Sequence, residues 1–63
     1  MKLFDVVMLR EDLPTEGLRR GQTGTIIEVF EGAFEVEFCD GEGRTLAEVA
    51  LRSEQIDLVL ESK

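Results

Sequence analysis

Apolar and acidic residues alternate without a break in Phe34-Glu35-Val36-Glu37-Phe38, the pattern of a strand with one side in a core and one in water. The run before it, Gly24-Thr25-Ile26-Ile27-Glu28-Val29-Phe30, has the β-branched and aromatic content of a second strand, and Glu31-Gly32 between the two is hairpin chemistry. A loop of those two residues places Val29 opposite Phe34, Ile27 opposite Val36 and Thr25 opposite Phe38. The apolar residues of both strands then share one side, an agreement that a slip of one residue would destroy.

Beyond Cys39, Asp40-Gly41-Glu42-Gly43 reads as a turn. Arg44 to Arg52 returns as a third strand, with Thr45, Ala47, Val49 and Leu51 at period two. Pairing Cys39 with Arg44 sets Phe38 against Thr45, Val36 against Ala47 and Phe34 against Val49, so the buried sides agree again. Leu3 to Leu9 is nearly continuous apolar sequence and reads as a first strand. Arg10 to Gln22 is punctuated by Pro14, Gly17 and Gly21, which predicts an irregular loop with Leu13 and Leu18 folded back as anchors. Ser53-Glu54-Gln55-Ile56 suits a single helical turn capped by Ser53, Asp57 to Leu60 a last strand, and Glu61-Ser62-Lys63 a frayed end.

Strand, long loop, three-strand meander, helical turn and strand make the order of a small all-β, five-stranded SH3-like barrel spanning residues 1–63 as one domain. Closing the sheet on itself would remove the edges that an isolated meander leaves open.

The same register sets what faces water. Glu28 stands opposite Glu35 and Glu35 opposite Glu48, a row of carboxylates across three strands, with Ile26, Glu37 and Leu46 beside it and Phe30 toward the hairpin tip. One reading is a solvated face whose glutamates splay apart and discourage association. The other is a docking face: exposed apolar groups among carboxylates suit a basic, amphipathic protein partner. Calcium takes oxygen ligands, but a flat sheet seldom converges enough of them, so no metal and no cofactor is expected.

Composition narrows this further. The chain has 63 residues, fourteen acidic against seven basic, a net charge of -7 and no histidine. A domain this short holds about 3–5 kcal/mol of stability and has no room for a cofactor-sized cavity, so function belongs on its outside. Its negative balance repels nucleic-acid phosphates. Arg19-Arg20 is the only basic doublet and carries the alternative, a nucleic-acid contact. Without tyrosine or tryptophan, the aromatic groove that true SH3 domains offer to proline-rich ligands is missing. Without histidine, no base stands ready to activate a nucleophile, and the chain reads as non-enzymatic. Cys39 is the only cysteine, so no internal disulfide forms, and among acidic neighbours a redox role is not expected of it. No apolar run matches a signal peptide or membrane helix, so a cytoplasmic protein with no membrane contact is expected. An exposed edge strand or the Phe30 patch leaves homo-oligomerisation open.

Gly21-Gln22-Thr23-Gly24-Thr25-Ile26-Ile27 resembles the loop-plus-strand signature of KOW-type SH3-like modules. With Asp5-Val6-Val7, Asp12-Leu13-Pro14, Gly17-Leu18, Glu35-Val36-Glu37-Phe38, Asp40, Gly43-Arg44-Thr45 and Gln55-Ile56, nearly the whole chain resembles a small, mostly bacterial family known as domain of unknown function 4926. Phe34 stands where that family often carries tyrosine. The resemblance implies an SH3-like fold. Members often lie beside a second small gene, which implies an antitoxin-like or immunity-like role with the neighbouring gene's product as partner. It supplies no catalytic residues.

Overall fold

The computed structural model describes all of residues 1–63 as β1 (Val6–Leu9), β2 (Thr23–Phe30), β3 (Ala33–Cys39), β4 (Thr45–Leu51) and β5 (Ile56–Leu60), with 3-10 turns at Pro14–Glu16 and Ser53–Gln55. The strands form one antiparallel sheet in the order β4-β3-β2-β1-β5. β4 and β5 are its edges and do not pair, so the sheet bends around its core without closing into the expected barrel. Val7, Leu9, Leu18, Ile26, Val36, Phe38, Leu51 and Ile56 fill the inside, with Leu13, Phe34, Ala47 and Val49 packed against them. No helix is long and apolar enough to cross a membrane.

The hairpin tip has the expected pairing, Val29 with Phe34 and Glu28 with Glu35. One step further a bulge falls at Ile27, and Ile26, not Ile27, lies opposite Val36. Ile26 is consequently fully buried, which removes it from the outer face where alternation alone had put it. Two adjacent isoleucines satisfy either register, and the bulge is what allows β2 to bend and pair with both β1 and β3. It also turns Gly24 inward. A β-carbon on Gly24 would lie 2.7 Å from Val36 Cγ1, 2.8 Å from the Glu37 carbonyl oxygen and 2.9 Å from Phe38 Cδ1, so only glycine allows the two strands to approach this closely.

β4 has slipped by two residues from the expected frame. The turn closes on Asp40, whose Oδ1 accepts from the amides of Glu42 (2.8 Å) and Arg44 (3.0 Å) while its own amide donates to the Arg44 carbonyl (2.9 Å). These bonds hold the Asp40 carboxyl below the usual carboxylate range, the Arg44 amide contributing most. The turn takes up Arg44, so Cys39 pairs with Thr45. Leu46 then bulges, and Phe38 meets Ala47, Glu37 meets Glu48, Val36 meets Val49 and Phe34 meets Leu51. From Ala47 onward the slip of two preserves which side each residue faces, whereas Thr45, one residue out of frame and expected inside, is exposed and bonded to Glu37 on the outer face.

The ends differ from expectation in one connected way. Leu3 and Phe4 do not extend β1; they form a turn in which the Asp5 amide donates to the Lys2 carbonyl (3.1 Å). Asp5, only 1% exposed, accepts from the Ser62 amide (2.7 Å), the Lys2 amide (2.9 Å) and Lys2 Nζ (3.2 Å), and Ser62 Oγ donates to the Leu3 carbonyl (2.7 Å). Ser62 is therefore tied down rather than frayed, and one carboxylate buckles both ends of the chain together. The last 3-10 turn is capped differently too: the Arg52 amide donates to Gln55 Oε1 (2.8 Å), and Ser53 caps nothing.

The Ser62 amide, followed by the Lys2 contacts, outweighs desolvation and holds the Asp5 carboxyl well below the usual carboxylate range. A depressed folded-state pKa adds stability above the unfolded value of about 3.9 and loses it as pH falls further. Melting temperature is thus expected to drop steeply below about pH 4. Asp5→Asn should melt about 10 °C lower at neutral pH, with a shallower acid limb. Thermal scans across the acid range check both; parallel curves for the two proteins would contradict the buckle.

Candidate functional site

The outer face of β2, β3 and β4 is built by strand parity, and its acidic members are adjacent even though the expected row is rearranged. Glu28 pairs with Glu35, but Glu35 meets Ala50 rather than Glu48. Glu48 instead meets Glu37, which in turn meets Thr25. Two like-charged pairs therefore stand side by side on one face, where the expectation was a single row. Glu28 and Glu48 are exposed and Glu35 and Glu37 half-buried.

None of these carboxylates has a cationic partner. The intramolecular ion pairs join Lys2 to Asp5 and Glu61, Arg10 to Asp57, Arg44 to Asp40 and Glu42, and Arg52 to Glu54. Within the face, Glu37 Oε2 accepts from Thr45 Oγ1 (2.6 Å) and Glu28 Oε1 from the Val29 amide (3.2 Å), contacts that orient the side chains without neutralising them. Phe30, paired with Ala33, remains 48% exposed at the tip and Leu46, on its bulge, 53% exposed at the other end. A shallow cleft of about 200 Å³ opens beside Glu37, lined by Val6, Thr23, Gly24, Thr25 and Cys39. Of the expected docking residues the face thus keeps Glu28, Phe30, Glu35, Glu37, Leu46 and Glu48 and loses Ile26 to the core.

The basic doublet is split. Arg20 borders a cleft of about 390 Å³ together with Arg10 and Asp57, whereas Arg19 lines a separate hollow with Asp12, Pro14 and Leu18. Both backbones are fixed, the Arg20 amide donating to Asp12 Oδ1 (2.8 Å) and the Arg19 amide to Gln22 Oε1. No group of three or more cysteine, aspartate or glutamate side chains is placed to hold a metal ion. Sequence reasoning missed Asp5, although a charged residue inside an apolar run is the signal that could have found it.

Fold and site define a small all-β domain of one five-stranded antiparallel sheet with an unneutralised acidic face. Residues 3–58 match the family described as Domain of unknown function (DUF4926), and the chain belongs to that family. No curated protein and no solved structure matches it.

Proposed function

We propose that the domain works by binding, not catalysis, and that the outer face of β2–β4 docks a basic or amphipathic protein partner. The observation that carries this reading is the pairing of Glu28 with Glu35 and Glu37 with Glu48 with no cation to offset them, between the exposed side chains of Phe30 and Leu46. Directly opposed carboxylates cost about 0.2–1 kcal/mol per pair, a cost that a cationic partner would convert into affinity. The product of a neighbouring gene, as in antitoxin-like or immunity-like pairs, is the first partner to try, in the cytoplasm where a free Cys39 persists. Strand order, the long first loop and the 3-10 turn before β5 support an SH3-like reading of the open sheet.

Two variants of equal net charge test the face. Glu37→Lys/Glu48→Lys should weaken binding of a lysine-rich amphipathic peptide at least about tenfold, the scale of a lost desolvated charge pair. Glu11→Lys/Glu16→Lys, altered in the first loop, should bind nearly as the parent does. Equal losses in calorimetry would reduce the effect to net charge and reject the face. Neutralising one member of a pair, Glu48→Gln, should in contrast stabilise the free domain by about 0.2–1 kcal/mol in urea unfolding.

A further inference from the structure

The β4 edge lies beside the acidic face and is the more regular of the two open edges. From Ala47 to Leu51 its register with β3 is uninterrupted, and the bulge at Leu46 lies outside that run. β5 is shorter, and its pairing with β1 breaks between Leu58 and Leu60, so no comparable stretch is regular there. A bulge twists an edge away from further pairing; an unbroken run invites it. β4 also lacks lysine and proline, the residues that usually blunt an edge. Its side chains divide by parity. Glu48 points outward next to Glu37, while Ala47 and Val49 point inward and stay half-exposed where the sheet fails to close toward β5.

We infer that the β4 edge accepts an extended segment of the partner as a sixth strand, a segment in which basic and apolar residues alternate; this rests on the docking face proposed above. Main-chain hydrogen bonds to β4 supply the affinity. Lysine or arginine on the outward side lies beside Glu48 and reaches across it toward Glu37 on β3, and the apolar residues between them cover Ala47 and Val49. The charges also select against self-pairing. A second copy of β4 would bring a further Glu48 to the same face, where like charges oppose association.

A synthetic peptide of alternating lysine and valine is the probe, with two further versions N-methylated on one or the other set of alternate residues. N-methylation keeps every charge and side chain but removes the donors of one edge. The inference expects the parent peptide to bind, to slow hydrogen exchange of β4 amides, and to lose at least about tenfold in affinity in one methylated version only. If all versions bind alike and the Glu37→Lys/Glu48→Lys variant still abolishes binding, the face stands and strand addition is overturned. Slowed exchange in β5 instead of β4 overturns it equally. If the parent peptide does not bind at all, the docking face itself fails, and the inference fails with it.

Discussion

Replacing Phe38 by alanine is expected to leave the chain unfolded at room temperature. Phe38 is fully buried, the largest of the core side chains, and sits on β3, flanked by β2 and β4 and paired with Ala47. Truncating a buried phenylalanine costs about 3–5 kcal/mol. That equals the whole stability expected of a domain this short, about 3–5 kcal/mol. Circular dichroism should therefore lose its strand signature, with no cooperative urea transition remaining. Phe30→Ala is the contrast: its ring is half in solvent, and the fold should barely register the change. A Phe30→Ala protein that folds as the parent does but binds the amphipathic peptide less well would separate the docking role of Phe30 from any packing role.

The second large effect is expected at Gly24, where the space is closed by backbone as well as side chains. Alanine there should cost about 1–3 kcal/mol and valine more, because the Glu37 carbonyl belongs to a paired strand and cannot rotate out of the way. Gly17 provides the comparison. Its φ of 71° disfavours a side chain, but no atom lies within 4 Å of the added carbon, so Gly17→Ala should cost about 1–2 kcal/mol from backbone strain and a larger side chain there little more. The drop in urea midpoint from alanine to valine should therefore be large at Gly24 and small at Gly17. Equal drops would mean that β2 can move away from β3, and that the bulge at Ile27 does not fix the inward turn of Gly24.

These sites mark how much of the fold is written in the local pattern of the sequence. The meander was legible because Phe34 to Phe38 alternates strictly, and that parity survived a two-residue slip of β4. Leu13 and Leu18 were legible as loop anchors for a similar reason. They are isolated apolar residues among Pro14, Gly17 and charges, and they bridge each other with Leu18 buried. What alternation cannot see is an extra residue. The bulge at Ile27 exchanges Ile26 for Ile27 in the core, and the turn that takes up Arg44 together with the bulge at Leu46 moves Glu48 from Glu35 to Glu37. Buckling of the ends by Asp5 was equally hidden, since hydrogen bonds between residues 57 positions apart leave no periodic trace. The four glutamates stay on one face with altered pairing, because β4 keeps its parity while changing register, and Ile26 leaves that face because parity reverses at the Ile27 bulge.

In the proposed function the unpaired carboxylates on β2–β4 receive a cationic partner. Amide correlation spectra recorded while a lysine-rich amphipathic peptide is added decide this. Shifts should concentrate at Glu28, Phe30, Glu35, Glu37, Leu46 and Glu48 and disappear in Glu37→Lys/Glu48→Lys. Shifts centred instead on Glu11, Glu16 and the first loop, or unchanged by that double substitution, would contradict it.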